Sequence, residues 1–491
     1  MNQSVIRFVL GKVLLIISVL LLVPFVTGMI YREREGLIYL AVAAVCFVLG
    51  FVTSKKKPER PTFYLKDGCI ITALSWIMIS VIGALPLVFT GEIPKFLDAL
   101  FEVASGFTTT GASILNDVEA LSHASLIWRS FTHWIGGMGV LVFLLAIVPL
   151  SGGTNINLMR AESPGPSVGK LVPKMRSTAT ILYMIYFSMT GIQAILLLFS
   201  GMDLFTALCM SFGTAGTGGF GILNSSVASY TALQQWIITI FMILFGVNFN
   251  FYYFVLNRNL KKGFAMEEVK AYFCIILASI LVIFLNIHGS FHSFEEAIRT
   301  IAFQVGSIIT TTGYSTADFN TWPTLSKSVL VLLMFVGACA GSTGGGFKVS
   351  RLIIMFKTFL KEANSYIHPK SVKKIKLDGE PIEHEVIRSV NVYLITYLTI
   401  FVISVLLVSV EGKDLETSFT AVAATFNNIG PGLNKVGPCA NYADMSNLSK
   451  VVMIIDMLAG RLELFPLIIL FHPSIWKELI QQRRCRRRND C

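Results

Sequence analysis

The sequence predicts an all-α polytopic membrane protein, with four pseudo-symmetric helix–pore-loop–helix repeats around one axis and a two-helix hairpin before them. Three observations carry this. Of 491 residues, 54% are hydrophobic and only 14% are charged, too little charge to clothe a soluble surface of that size. The apolar residues gather into runs long enough to cross about 30 Å of hydrocarbon as helices. Four shorter apolar stretches, each closing in glycine with threonine or asparagine, recur about a hundred residues apart.

The long runs lie near 8–30, 36–53, 68–90, 123–149, 179–200, 232–256, 270–288, 327–358, 387–410 and 448–473. The first is followed by Tyr31-Arg32-Glu33-Arg34-Glu35 rather than by a small-residue cleavage site, so it reads as an uncleaved span. It pairs with the second run to make an N-terminal hairpin over 1–66. The remainder divides into repeats at 67–176, 177–268, 269–385 and 386–480, with a basic tail over 481–491. In each repeat a stretch of about twelve to fifteen apolar residues sits between two spans. That is too short to cross, and irregular backbone at such depth must line water or be buried in protein. These are re-entrant segments.

Charge sets the orientation. Lys55, Lys56, Lys57, Arg60 and Lys66 follow the second span, and Arg258, Lys261 and Lys262 follow the sixth. Lys361, Lys370, Lys373, Lys374 and Lys376 follow the eighth, and Arg483, Arg484, Arg486, Arg487 and Arg488 end the chain. Even numbers of crossings separate these groups, so they share one face, the cytoplasmic one. Both termini are then cytoplasmic and all four re-entrant stretches enter from outside. The same pattern assigns the net charge of +11 to contact with anionic membrane lipid rather than nucleic acid. The eight cysteines are scattered, several inside apolar runs, with no metal spacing. Arg129, His123 and His133 read as structural, since nothing supplies further ligands for a metal. Gly341 to Lys348 superficially resembles a phosphate loop, but Val349 follows the lysine inside an apolar span, so no nucleotide-hydrolysing enzyme is indicated.

The four stretches end in Ser105-Gly106-Phe107-Thr108-Thr109-Thr110-Gly111, Gly213-Thr214-Ala215-Gly216-Thr217-Gly218-Gly219, Ile309-Thr310-Thr311-Thr312-Gly313 and Phe426-Asn427-Asn428-Ile429-Gly430. With Gly111, Gly218, Gly313 and Gly430 taken as equivalent, each interval holds one full repeat. A dehydrated monovalent cation needs oxygen dipoles aimed at it from all round, and backbone carbonyls supply them. Turning consecutive carbonyls one way needs backbone that glycine tolerates, and threonine hydroxyls add further oxygens. The candidate ion ligands are therefore Thr109, Thr110, Gly111, Thr217, Gly218, Thr312, Gly313, Asn428, Ile429 and Gly430. Asp98, Asp203, Glu296 and Glu416 lie near the starts of the short helices, leaving the negative helix ends to face the pore. A single Thr-Gly pair is usually a turn or a packing motif. Four in register on one face argue for a pore.

Two further features lie deeper. The eighth span is broken by the run from Gly337 to Gly346, which either unwinds the helix or packs it closely against a neighbour. Arg461 stands about thirteen residues into the last span, roughly 20 Å deep at 1.5 Å per residue. A buried arginine faces a cavity or an acid partner, here Glu463 or Asp456.

These motifs resemble the Trk/Ktr/HKT superfamily of potassium transporters, and the length and extra N-terminal spans resemble its TrkH/TrkG branch. The resemblance covers almost the whole chain. It includes Trp128 to Gly139, Asn157-Leu158-Met159-Arg160-Ala161-Glu162, Gly341 to Lys348 and Gly460-Arg461-Leu462-Glu463-Leu464. It implies potassium uptake with rubidium also carried and sodium carried poorly, since a serine at the first filter glycine goes with sodium permeation and all four glycines stand here. It implies a gate made of Gly341, Ser342, Thr343, Gly344, Gly345, Gly346, Lys348 and Arg461, in which the glycine loop obstructs the pore below the filter. Lys348 and Arg351 are alternatively interface anchors. It also implies a homodimer in the bacterial inner membrane, no organic cofactor, and a cytosolic nucleotide-binding partner of the TrkA type. A sodium- or proton-coupled symporter using the same pore is the alternative. The second filter departs from the family at Ala215-Gly216, where hydroxyl or β-branched residues are more usual.

Overall fold

The computed structural model describes residues 2–58, 64–139, 175–369, 374–475 and 477. Arg60, the Asn157–Glu162 motif, Lys370, Lys373 and the tail over 481–491 fall outside them. The hairpin is built from α1 (Gln3–Leu20), its continuation α2 (Leu22–Tyr31) and α3 (Glu35–Ser54). Small residues let these helices meet at backbone distance. A Cβ on Gly50 would stand 2.9 Å from the Gly11 carbonyl oxygen, and one on Gly28 would stand 2.8 Å from the Gly36 Cα, the close approach that membrane helices use in place of hydrophobic collapse.

Each repeat then supplies an outer helix, a short buried helix and a return helix. The first has α4 (Leu65–Phe89), α5 (Phe96–Phe107) and α6 (His123–Met138). The second has α7 (Met175–Phe199), α8 (Leu204–Gly216), α9 (Ala232–Phe245) and α10 (Phe249–Leu256), followed by the one-turn α11 (Leu260–Ala265). The third has α12 (Glu267–Ile287), α13 (Phe294–Ile309), α14 (Thr324–Met334) and α15 (Val349–Ile367). A small antiparallel hairpin, Lys376–Leu377 against Glu380–Pro381, leads into the fourth. The fourth has α16 (His384–Ser409), α17 (Leu415–Phe426), α18 (Asn447–Arg461) and α19 (Phe465–Phe471).

The ten long runs do not all fold as single helices. Among the described residues six helices are long and apolar enough to cross a membrane, and a seventh span counts only if the 93° bend between α9 and α10 is allowed. The interrupted ones are the return helices, and the predicted unwinding in the eighth run is one case of a general rule. The first return helix stops at Gly139 with φ +85°. The second bends at 246–248, the third opens from Phe335 to Lys348, and the fourth breaks at Glu463 and Leu464, both with positive φ. A hydropathy average is blind to such breaks because the residues across them stay apolar.

The two ends of the bundle are distinct. At one end Arg7 donates to the Lys56 carbonyl at 3.4 Å, and the Glu267 amide donates to Asp378 at 2.7 Å. At the other, Lys450 pairs with Asp98 at 2.7 Å and Asn441 donates to Asn116 at 2.9 Å. All four short helices start at this second end. Side chains cap three of them: Asp203 accepts from the Thr206 amide, Ser293 from Glu296 and Asp414 from Thr417.

Candidate ion pathway

At the end of each short helix the chain makes the same turn. The amides of Thr110, Gly218, Thr312 and Ile429 donate to the carbonyls of Ser105, Gly213, Ser307 and Ala424 at 2.8, 2.9, 2.8 and 2.8 Å. The residue before each donor is left-handed: Thr109, Thr217, Thr311 and Asn428 have φ between +52° and +58°. The residue after is left-handed too: Gly111, Gly219, Gly313 and Gly430, with φ of +79°, +77°, +85° and +99°. Alternating signs of φ turn successive carbonyls toward one side. The register of the second loop is therefore shifted by one from the sequence alignment. Gly219, not Gly218, is the equivalent of Gly111, and Gly218 stands where the others carry Thr110, Thr312 and Ile429.

The glycines close a circle. A Cβ on Gly111 would strike the Gly218 carbonyl oxygen, one on Gly219 the Thr312 carbonyl and one on Gly313 the Ile429 carbonyl. One on Gly430 would stand 2.7 Å from the carbonyl of Thr110, which brings the series back to the first repeat. Each repeat thus touches the next through its left-handed glycine and its neighbour's preceding carbonyl. All four glycines line the floor of a funnel walled in part by Ser113, Ser315, Pro431 and Tyr442.

Side chains behind the ring differ between repeats. Thr108 and Thr110 hydroxyls bond at 2.8 Å, as do Thr310 and Thr312. In the fourth loop Tyr397 donates to Asn427 at 2.9 Å, and Asn428 donates to Thr110 and to the Met457 carbonyl, both at 2.9 Å. Among the described residues Thr109 Oγ1 and Asn428 Oδ1 are buried without a hydrogen-bond partner. The sequence reading of Arg129 as structural agrees with its geometry. It pairs with buried Glu102 at 2.9 Å and stacks over Phe220 at 4.1 Å, while Glu102 also accepts from the Ile114 amide at 3.0 Å. Among the described residues no three His, Cys, Asp or Glu side chains gather as a metal site.

Beneath the ring lies the glycine loop of the third repeat. The Gly345 amide donates to Thr311 Oγ1 at 2.7 Å. A Cβ on Gly344 would stand 3.0 Å from the Thr310 carbonyl oxygen, and one on Gly345 would stand 2.9 Å from that of Asn427. Three glycines let this backbone lie directly against the underside of the third and fourth loops. Gly341 and Gly346 have φ of +67° and +68°. Ser342 donates to the Cys339 carbonyl at 2.7 Å, and Thr343 donates to the Phe245 carbonyl at 3.2 Å. Lys348 is 1% exposed and holds the Gly344 and Gly345 carbonyls, so the alternative of an interface anchor is corrected for Lys348. It is corrected for Arg351 also, which is buried, pairs with Glu463 and lies over Tyr393 at 3.9 Å.

Arg461 does not take the acid partners the sequence offered. Glu463 goes to Arg351, and Asp456 accepts from Ser404 at 2.7 Å. The Arg461 guanidinium donates instead to the Thr343 carbonyl at 2.9 Å and to the carbonyls of Gly136 and Gly137. One side chain of the fourth repeat thereby ties the glycine loop of the third to the broken end of α6 in the first.

Sequence reasoning missed the loop's other anchor. Glu268, 5% exposed, accepts from the amides of Ala340 at 2.7 Å and Ser350 at 3.0 Å and from Asn248 at 3.3 Å. It clamps both ends of the loop, yet in sequence it is one of two acids opening an apolar helix, indistinguishable from a solvated first turn.

Four short buried helices whose glycine turns meet in one ring, inside a bundle of helices long enough to cross a membrane, mark an all-α polytopic membrane protein. A family model described as a cation transport protein, TrkH, matches residues 38–478, and the chain belongs to the TrkH cation transport family. It is 34% identical over 486 residues to the Trk system potassium uptake protein TrkH of Escherichia coli K12, covering 97% of this chain and 100% of that one. The Trk system potassium uptake protein TrkG of the same organism is 33% identical over 498 residues, covering 97% and 100%. The crystal structure of the potassium transporter TrkH from Vibrio parahaemolyticus superposes with a TM-score of 0.87 at 31% identity, covering 97% of this chain and 100% of that one.

Proposed function

We propose that this chain takes up potassium across the cytoplasmic membrane of a bacterium, through a filter made by its four pore loops and closed from below by the glycine loop and Arg461. The observation that carries the reading is the circle of left-handed glycines, each seated on the next repeat's carbonyl. A protein that used these glycines only for helix packing would have no reason to bring all four to one ring. The names of the relatives supply the ion.

The chemistry follows from the residues. A potassium ion entering the funnel sheds water as carbonyls of 109–111, 217–219, 311–313 and 428–430 replace its hydration shell, with Thr109 and Asn428 adding side-chain oxygens. The C-terminal ends of α5, α8, α13 and α17 point at the ring, where helix dipoles favour a cation. Conduction past the ring requires the backbone of Gly344–Gly346 to leave the underside of Thr311 and Asn427. That motion breaks the Arg461–Thr343 bond. The face bearing Lys56, Lys261, Lys262, Lys374 and Lys376 is the cytoplasmic one. The loops at Lys261–Lys262 and Lys370–Lys376 are the docking surface for a nucleotide-binding partner of the TrkA type or for anionic lipid, and the working unit is a homodimer.

The test is potassium flux into proteoliposomes at fixed voltage, with sodium and then a proton gradient withdrawn. Flux that persists supports an uncoupled pore. Flux that stops with either ion means symport, and no flux even with a regulatory partner present defeats the pore reading.

A further inference from the structure

We infer that His133 is a specificity-determining positioning residue of the filter, standing in for two side chains that the second loop lacks. The inference rests on the reading of these loops as the ion filter.

In the first and third loops the residues flanking the left-handed threonine carry hydroxyls that bond each other at 2.8 Å, Thr108 with Thr110 and Thr310 with Thr312. The fourth loop is braced at the same level by Tyr397 on Asn427. In the second loop both flanking positions are glycine, Gly216 and Gly218, so it has no brace of its own. His133, fully buried on α6, fills that space. A Cβ on Gly218 would strike the His133 ring, and one on Gly216 would strike the His133 backbone.

The ring is also bonded at both ends. The Phe220 amide donates to Nε2 at 3.2 Å, which makes Nε2 the acceptor and leaves Nδ1 to donate to the Gly106 carbonyl at 2.8 Å. One neutral imidazole therefore links the end of the first pore helix to the exit of the second loop. It fixes the spacing across the first quarter of the ring, where the Gly218 carbonyl is seated against Gly111. Filter spacing decides how well carbonyls replace the hydration of one ion rather than another, so loss of this link should widen the ion range before it stops flux.

The experiment is cation flux in proteoliposomes, read as the potassium-to-sodium ratio. His133→Gln keeps a donor and an acceptor and should hold the ratio within about twofold of native, while His133→Leu fills the space without either bond and should lower it about tenfold with potassium flux retained. Because a buried leucine at this position could fail to fold, a second pair reads the same contact from the other side. Gly218→Ala alone should lose flux against the ring, and adding His133→Ala should restore potassium flux with a lowered ratio. A native ratio in His133→Leu, or a Gly218→Ala protein as active alone as in the double variant, overturns the inference. A native protein that carries no cation defeats the filter reading itself, a different result from a selective protein indifferent to His133.

Discussion

Replacing Arg461 with alanine is the sharpest perturbation of the proposed gate. Among the described residues its guanidinium makes three carbonyl contacts, of which the one to Thr343 at 2.9 Å reaches the glycine loop; those to Gly136 and Gly137 anchor it to the first repeat. A hydrogen bond from a charged donor is worth about 1.5–3 kcal/mol. Taking about 2 kcal/mol for the Thr343 bond, its loss shifts the closed–open balance by roughly thirtyfold, since 1.4 kcal/mol is a factor of ten. Removing the fixed charge lowers the barrier to a cation further. The prediction is a rise of about thirtyfold in potassium flux into proteoliposomes without any regulatory partner. Arg461→Lys, which keeps the charge but lacks the fork to hold three carbonyls, should fall between the two. Unchanged or reduced flux from a monodisperse Arg461→Ala protein would refute the assignment of this residue to the gate.

Three further outcomes are expected. Glu268→Ala leaves the buried Ala340 and Ser350 amides unpaired at about 1–3 kcal/mol each, so resting flux should rise by about thirtyfold or more, with Glu268→Gln intermediate; equal flux in all three proteins would show that the clamp does not bear on the proposed gate. Gly219→Ala drives a methyl into the Thr312 carbonyl at a left-handed position and should cut potassium flux about a hundredfold, whereas Gly191→Ala, with nothing within 4 Å of the added carbon, should leave it intact. Asp414 caps the fourth pore helix, and Asp414→Ala should cost about 1 kcal/mol in a thermal-unfolding comparison. The Thr417 hydroxyl and amide hold the Asp414 carboxyl below its ordinary 3.8. Its contribution is therefore fully present above that value and fades as pH falls through the lower folded one, and the difference between native and variant should vanish in strong acid.

The large-scale plan was readable because it depends on length and composition alone. Runs such as 68–90 and 387–410 stand as single helices, and the stretches ending at Gly111, Gly313 and Gly430 are short buried helices closing in a left-handed glycine, the pattern that re-entry leaves in sequence. The second loop misled by one residue. Gly216, Gly218 and Gly219 lie together in sequence, and only backbone φ and the shared turn hydrogen bond distinguish the glycine that must be left-handed from those that make room for His133. The glycine-rich break in the third repeat announced itself, while the fourth break at Glu463 and Leu464 carries no glycine at all. Partners across the fold were the least legible. Arg461 has an acid two residues away, and nothing in the chain says that Glu463 turns instead to Arg351, more than a hundred positions earlier.

In the proposed function the ring of four glycine loops chooses the ion. That choice is tested most directly by proteoliposome flux of potassium, rubidium, sodium and lithium through the native chain and Gly111→Ser side by side. A serine Cβ at Gly111 would meet the Gly218 carbonyl oxygen, so the first and second loops must part to admit it. The native protein should pass potassium and rubidium with little sodium, and Gly111→Ser should admit sodium. A native protein blind to the difference between potassium and sodium, or a Gly111→Ser protein with native selectivity, would contradict it.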